Sequence, residues 1–142
     1  MNQTLEQKRS KYAFEQILKV KGKKFEKEFS SLVSKLATLI LTNGLGNTLA
    51  FLFAKGKDHH LQSVYIVVNW LINESPLGKK DLKDLNDKNV KEKTQDILNR
   101  LVLNASVEEY IFYTEESLRL INWLRRYSDA LLEKEKEGER NE

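Results

Sequence analysis

The feature that most constrains the fold is a stripe of apolar residues, three and four positions apart, between residues 25 and 40. Such spacing places the apolar side chains on one face of an α-helix, and no segment alternates apolar and polar residues as a half-buried strand does. The stripe consists of Phe25, Phe29, Leu32, Val33, Leu36, Leu39 and Ile40. Because further segments show helical spacing, the sequence predicts an all-α fold, a compact single-domain bundle of five to six helices.

Local signals predict where these helices begin and end. Thr4 with Gln7, and Ser106 with Glu109, match the capping box that opens a helix. We expect the first helix to reach about residue 20 and the last to run towards residue 133. Further signals are the break at 21–23, the stop at Asn43 and Gly44, the cap at Asp58 and the stop at 76–78.

Two segments carry specific expectations about packing. A third helix, over residues 45–55, has Gly46, Ala50 and Ala54 four apart. Small side chains in this pattern let another helix approach closely, so we expect this helix to be central and buried. Residues 79–93 are charged and weakly periodic, which predicts a solvated, mobile connection with a short helix over 82–85.

Length and composition favour one domain of a soluble protein. The chain has 142 residues and no cysteine, which excludes disulfides and thiolate metal sites. The first ten residues are polar, and no apolar run approaches the about 18 residues of a membrane span. We therefore expect no signal peptide, no membrane contact and a cytoplasmic location. The predicted domain covers residues 1–132, and residues 133–142 are predicted to form a charged, disordered tail.

The positive charge is concentrated in one part of the chain. Residues 1–57 contain 11 Lys and Arg against 4 Asp and Glu, a net charge of +7, whereas residues 58–142 contain 13 against 17, a net charge of −4. A basic half favours a polyanion such as nucleic acid or an acidic protein, and charge asymmetry also lets copies stack basic side to acidic side. The alternative is an ordinary set of solvated, lysine-rich helices.

Signals for catalysis are weak, and we predict no catalytic residue, no metal site and no cofactor. His59 and His60 are adjacent on a helix and point about 100° apart, so they are expected to be a solvated helix start rather than a metal site. Gly44 and Gly46 lack the remaining features of a phosphate-binding loop. The glutamate pairs at 108–109 and 115–116 are typical of a solvent-exposed helix face rather than of a catalytic acid–base pair.

Lysines form the candidate binding surface on the first two helices. The exposed face of the second helix combines short hydroxyls with Lys23, Lys27 and Lys35, and the first helix presents Lys8, Lys11 and Lys19. Such faces can lie close to a phosphate backbone without reading bases. Arg9 instead projects within the arc that should be buried, so either it pairs inside the fold or that edge of the helix meets a ligand or subunit.

The last helix has two non-polar seams. The seam expected to face the core contains Tyr110, Ile111, Tyr113, Leu120, Ile121, Leu124 and Leu131. The other interleaves arginines with aromatic rings, a composition enriched at partner interfaces, and contains Phe112, Glu116, Arg119, Trp123, Arg126, Tyr127 and Ala130. Phe112, Trp123 and Tyr127 are therefore predicted partner contacts. The alternatives are burial of these rings by the N-terminal helix and stacking of unpaired bases on them.

Three segments carry a family resemblance. TLEQKRSKYA at 4–13, TNGLGNTLAFL at 42–52 followed by AKGK at 54–57, and YTEESLRLINWLRRY at 113–127 resemble the small helical subunit of the Cmr complex. That complex is the type III-B CRISPR effector, which is guided by RNA and targets RNA. The resemblance spans nearly the whole chain, the segment 42–52 is its most specific part, and residues 79–96 match poorly.

The resemblance implies a non-catalytic subunit. In that family, copies form an inner filament beside a repeated backbone subunit and help hold the guide–target RNA duplex, so guide and target RNA, other Cmr subunits and further copies are the implied partners. The matching basic positions, implied as phosphate or subunit contacts, are Lys8, Arg9, Lys11, Lys55, Lys57, Arg119, Arg125 and Arg126. Two other classes remain open: a stand-alone helical protein adaptor and a non-specific DNA-binding protein.

Overall fold

The computed structural model describes residues 2–136 and confirms the all-α prediction. Six α-helices follow one another, with no strand in the described part of the chain. They are α1 (Leu5–Val20), α2 (Glu26–Asn43), α3 (Leu45–Lys55), α4 (Asp58–Asn69), α5 (Thr94–Leu98) and α6 (Val107–Leu131). Within residues 2–136, no helix is long and apolar enough to cross a membrane.

Both predicted capping boxes are present. The Thr4 hydroxyl accepts from the backbone N–H of Gln7 at 3.1 Å, and the Gln7 side chain accepts from the N–H of Thr4 at 2.8 Å. Ser106 and Glu109 repeat both bonds with the same lengths at the start of α6. Gly44 ends α2 with a positive φ of 86°, a conformation that glycine adopts without a side-chain clash. These boundaries depend on bonds between residues only a few positions apart, which is why the sequence predicts them well.

The core lies between α2, α4 and α6, with α1 and α3 packed against it. Its largest fully buried apolar side chains are Ile17, Phe29, Leu36, Leu45, Ile66, Leu71, Ile97, Leu101, Leu120, Ile121 and Leu124. Tyr113 is also buried, but Ile111, which we expected to face the core, is exposed. Tyr110, in the first turn of α6, packs against the core and accepts a hydrogen bond from the N–H of Gly46, so Ile111 lies on a different side of the helix from the core face.

The prediction that α3 is the central helix, with a close-packed small-residue stripe, is wrong. Ala50 and Ala54 are exposed, and the helix buries its opposite side. Only Gly46 makes a close approach: a Cβ placed there would lie 2.8 Å from Cγ1 of Val102, and its N–H donates to the Tyr110 hydroxyl at 2.9 Å. The most enclosed helix is α4, in which eight of its twelve residues are buried.

The start of α4 differs from the prediction. The N-cap position is Lys57, and Asp58 lies in the first helical turn without capping it through its side chain. At the other end the chain continues as a π-helical turn over Trp70–Glu74, closed by a 2.6 Å bond from the Ser75 N–H to the Trp70 carbonyl. A single-turn π segment adds a residue to the helix and rotates the side chains that follow. Trp70, the first residue of this turn, is buried.

The connection over residues 79–93 is largely exposed, as predicted, but a few apolar side chains anchor it to the core. Leu82, Leu85 and Val90 are buried, and the side chain of Asn73 both donates to and accepts from the backbone of Leu82, at 2.7 and 3.2 Å. Residues 82–85 form a turn instead of a short helix, and the only helical piece is a 3₁₀ turn at Lys91–Lys93. Charge dominated the sequence pattern here, although three apolar side chains determine the packing.

The chain then forms α5, a second π-helical turn at Asn99–Leu103, and α6. After Leu131, the backbone N–H of Glu133 donates to the Glu26 carboxylate at 2.7 Å. This bond, with a second one from the N–H of Gly22, lowers the pKa of Glu26 despite its partial burial. The predicted charged tail lies only in part within the described residues, since residues 137–142 fall outside them.

Candidate nucleic-acid and subunit interface

A groove of about 530 Å³ runs between α1 and the region where α4 gives way to the π-helical turn. Its charged lining residues are Lys8, Lys11, Lys19 and Lys83, with Glu15 and Glu74. Lys8, Lys11 and Lys19 follow one another at three- and eight-residue steps on α1, so a single polar face of that helix supplies them. The fold thus brings two predicted contacts, Lys8 and Lys11, together with a lysine from a distant segment.

Aromatic and amide groups form the wall of this groove. The Tyr12 hydroxyl donates to the carbonyl of Ile66 at 2.7 Å and accepts from the Asn69 amide at 3.2 Å. The Tyr12 ring also packs on Trp70, with ring centroids 5.2 Å apart. Burial raises the pKa of Tyr12 well above its usual value, so this hydroxyl stays protonated. The wall is therefore fixed by the contact of α1 with α4.

Arg9 pairs inside the fold, which is the first of the two alternatives. Its Nε and Nη2 donate to the two oxygens of Glu116, at 2.5 and 2.9 Å, and both side chains are buried. The indole N–H of Trp70 donates to Glu116 at 2.8 Å. The expectation that Arg9 contacts phosphate is therefore corrected, because Glu116 neutralises its charge. The expectation that Glu116 belongs to a wet helix face is wrong for the same reason.

The pKa of Glu116 reflects this arrangement. Burial acts to raise the pKa, but the hydrogen bonds from Arg9 and Trp70, with the charges of Arg9 and Arg119, outweigh it and hold the pKa below its ordinary value. The carboxylate is thus ionised at neutral pH. It works as a structural link between α1, the π-helical turn and α6, and it leaves no proton for acid–base chemistry.

His59 and His60 are buried, contrary to the expectation of a solvated helix start. Their rings lie 4.0 Å apart, beside a small cavity of about 30 Å³ between α2, α3 and α4. Lys35, another predicted contact, lines this cavity with Phe51. The sequence argument treated the two rings as pointing apart into solvent, whereas the structure buries both and brings them into contact.

The imidazole of His60 is held neutral. Within residues 2–136, neither ring nitrogen has a hydrogen-bond partner. Burial, the adjacent His59, and the positive charges of Lys55 and Lys57 together lower the pKa of His60 to about 4. Lys55 and Lys57 are therefore close enough to His60 to disfavour its protonated form. Lys35 lines the cavity beside the same ring.

This depressed pKa predicts a loss of stability on mild acidification. The unfolded chain takes up a proton on His60 near its ordinary pKa of about 6.5, whereas the folded chain does not until about pH 4. The free energy of unfolding should therefore fall as the pH is lowered from 6.5 to 5. His60→Gln should flatten this dependence, and urea denaturation at several pH values measures it. An unchanged pH dependence in His60→Gln would contradict the assignment.

The aromatic seam of α6 is half-buried. The ring of Tyr127 stacks on Trp123 with centroids 5.7 Å apart, and Phe14 of α1 meets Tyr127 edge-on at 5.3 Å. The hydroxyls of Ser10 and Tyr127 are 2.5 Å apart. The N-terminal helix thus covers part of these rings, and Phe112 packs in the same half-buried manner against Tyr113. The outer edge of the seam stays open.

The remaining predicted contacts are distributed over separate surfaces. Arg119, Arg125 and Arg126 are exposed on α6, and Arg119 lines a depression of about 290 Å³ with Arg9 and Trp123. Lys23 is exposed at the turn before α2, and Lys27 is half-buried on its first turn. The three surface depressions that contain predicted residues share no lining residue. The fold therefore places only some of the predicted contacts in these depressions and keeps the three sets apart.

Sequence analysis missed Lys83 and Trp70. Lys83 lies in the segment where the resemblance is poor, and its only signal is that it sits between Leu82 and Leu85, whose burial turns it outward. Trp70 lies in an apolar segment interrupted only by Asn69, and a π-helical turn has no sequence signature that would have singled it out. Within residues 2–136, no group of three His, Asp or Glu side chains could hold a metal ion.

The fold and this surface define a small helical-bundle protein that carries uncompensated lysines outside and a buried ion pair inside. Residues 5–131 match the model of a protein family described as CRISPR-associated protein (Cas_Cmr5). Because the match covers most of the chain, the protein belongs to this family, the small subunit of the type III-B CRISPR effector, the Cmr complex. Other subunits of that complex are its partners.

Proposed function

We propose that this chain is a non-catalytic subunit that helps hold the guide–target RNA duplex, in copies aligned as an inner filament beside the repeated backbone subunit. The observation that supports it is a set of lysines without carboxylate partners. Within residues 2–136, ion-pair distance to a carboxylate is not reached by Lys8, Lys11, Lys19, Lys23, Lys27, Lys55 or Lys57.

Uncompensated lysines suit a phosphate backbone better than a protein surface. Each cation that meets a phosphate releases a counterion, and this release drives association without reading the base sequence. The lysines lie on α1, around the start of α2 and at the turn from α3 to α4, and α2 also exposes the Ser34 and Thr38 hydroxyls. A duplex of changing sequence requires such sequence-tolerant contacts.

The absence of a catalytic role is part of the proposal. The two histidines are buried, and the pKa of each is lowered, so they are neutral and enclosed rather than available as a general base. Glu116 is committed to Arg9 and Trp70. These side chains serve the fold, and RNA cleavage is assigned to other subunits.

Replacing three lysines tests the RNA role. In the assembled complex, Lys8→Ala, Lys11→Ala and Lys55→Ala together should lower the salt slope of target-RNA binding by about 2, because each lost contact to a strand removes about 0.7. The loss of RNA affinity relative to the unchanged complex should then be about 16-fold larger at 50 mM salt than at 200 mM salt. The fold should persist, since each exposed lysine contributes within about 0.5 kcal/mol. Filter binding over a salt series measures the slope.

The matched control removes the same charge elsewhere. Lys88→Ala, Lys93→Ala and Lys134→Ala lie outside the basic half, and two of these lysines pair with Asp84 and Asp129. This control should leave the salt slope unchanged. An unchanged slope in the first triple variant, combined with loss of assembly in Trp123→Ala, would instead identify a protein adaptor that works through the aromatic seam.

A further inference from the structure

The side-chain amide of Gln16 on α1 is a buried polar group without a partner. The residue is 4% exposed, and within residues 2–136 neither the oxygen nor the nitrogen of its amide makes a hydrogen bond. A buried amide without a bond is unfavourable, because the group has lost its water and gained no protein partner. Such a group indicates that a ligand or a water from outside the chain completes it.

Gln16 lines the groove between α1 and the π-helical turn. It lies four residues after Tyr12 and three before Lys19, so the three side chains share one face of α1. A half-turn about the last bond of the side chain exchanges the amide oxygen and nitrogen, so either can face the groove. Gln16 therefore offers the groove a hydrogen-bond donor or acceptor that the fold does not use.

The neighbouring amide in the wall of the groove is already bonded at both ends. The Asn69 nitrogen donates to the Tyr12 hydroxyl at 3.2 Å, and the Asn69 oxygen accepts from the amide of Asn73 at 2.7 Å. The Tyr12 hydroxyl in turn donates to the carbonyl of Ile66. These groups hold α1 against α4, whereas the amide of Gln16 has no such structural role.

The charges of the groove are mixed, with a surplus of cations. Four lysines and two glutamates line it, a net charge of +2, and they are Lys8, Lys11, Lys19, Lys83, Glu15 and Glu74. The lysines attract phosphates, whereas the two carboxylates repel a phosphate beside them but can accept a hydrogen bond from a hydroxyl. The lining therefore suits a ligand that carries both phosphates and hydroxyl groups better than one that carries phosphates alone.

We propose that a ribose 2′-hydroxyl of bound RNA enters this groove and forms a hydrogen bond with the amide of Gln16, so that this side chain distinguishes RNA from DNA. The inference rests on the proposed RNA role, and it names the residue that contacts the sugar. A 2′-hydroxyl donates and accepts, as an amide does, and it lies in the same backbone as the phosphates. It is also the same at every nucleotide, so the contact stays sequence-tolerant, whereas a contact to a base edge would not.

Duplexes with altered sugars test this on the purified full chain. One probe is an RNA duplex, and the other is the same duplex with 2′-fluoro riboses, which keep the A-form helix but remove the hydroxyl donor. The unchanged protein should bind the RNA duplex about 2- to 10-fold more tightly, the effect of one neutral hydrogen bond. Gln16→Met, which keeps an unbranched side chain of similar length, should bind both duplexes equally. Fluorescence anisotropy with up to about 1 mM protein measures the affinities.

Gln62→Met is the matched control, because Gln62 is 7% exposed on α4 and does not line the groove. It should keep the preference for the RNA duplex. Gln16→Met should melt at no lower temperature than the unchanged protein, because the lost amide makes no bond in the fold. The proposal is overturned if the unchanged protein binds both duplexes equally or neither, or if Gln16→Met keeps the preference, which would leave a bound water as the partner of Gln16. A lower melting temperature in Gln16→Met would also overturn it, since the amide would then serve the fold.

The salt slope separates this inference from the proposed RNA role. Gln16 carries no charge and releases no counterion, so Gln16→Met should leave the salt slope unchanged, whereas the triple lysine variant should lower it. A lowered slope in the lysine variant, without a preference for the RNA duplex, would reject the sugar contact and keep the RNA role. A preference for the RNA duplex, with an unchanged slope in the lysine variant, would keep the sugar contact and reject the lysines as phosphate contacts.

Discussion

Glu116→Ala is expected to destabilise the protein by about 3–5 kcal/mol, the cost of leaving one member of a buried ion pair without its partner. The substitution leaves the buried Arg9 guanidinium and the Trp70 indole N–H without their acceptor. Domains of this size are stable by about 5–15 kcal/mol, so the variant should unfold at much lower urea concentration. Equilibrium denaturation followed by tryptophan fluorescence and circular dichroism measures the difference.

Glu115→Ala is the matched control, since Glu115 is exposed on the same helix and should change stability by no more than about 0.5 kcal/mol. A second comparison replaces both partners with apolar residues, Arg9→Met with Glu116→Leu. This double variant should recover much of the lost stability, because no unpaired charge remains in the interior. Equal stability of Glu115→Ala and Glu116→Ala would show that the ion pair contributes nothing.

The position of this ion pair also separates stability from RNA affinity. Arg9 lies between Lys8 and Ser10 in sequence, beside lysines that line the groove, yet its charge faces inward. A weakened complex in an Arg9 variant should therefore follow loss of the fold. Lys8 and Lys11 variants should weaken RNA binding with the fold intact. Comparing the melting temperature with the RNA affinity for each variant separates the two effects.

Gly78→Ala should destabilise the protein by about 3 kcal/mol, at the upper end of the range for overpacking. A Cβ at this position would lie 2.3 Å from the carbonyl oxygen of Ile72 and 2.7 Å from its carbonyl carbon. These are backbone atoms, so no side-chain rotation relieves the clash. The same carbonyl accepts from the N–H of Lys80 at 2.9 Å, and the displaced chain would lose this bond as well. Urea denaturation measures the change.

Leu77→Ala is the neighbouring control, because Leu77 is exposed and its truncation should change stability by no more than about 0.5 kcal/mol. If Gly78→Ala proved as stable as the control, the close approach of residue 78 to Ile72 would not be required for the fold. Gly78 also precedes the connection over residues 79–93, which positions Lys83 in the groove.

The sequence by itself determined the features that arise within a few residues. The capping boxes at Thr4 and Ser106 and the positive φ of Gly44 depend on neighbouring atoms, so the ends of α1, α2 and α6 follow from local chemistry. Helical spacing likewise predicted the all-α fold and the buried face of α2. A stripe of apolar residues on a helix is removed from water only when that face packs against other elements.

Only the tertiary structure decided which polar groups are enclosed and which charges are brought together. Arg9 meets Glu116 across 107 residues of chain, and the fold buries both His59 and His60. Helical periodicity gives the direction of a side chain but not the element it will meet. The π-helical turn at Trp70 and the anchored connection that carries Lys83 also depend on contacts between distant segments, and these contacts create the groove.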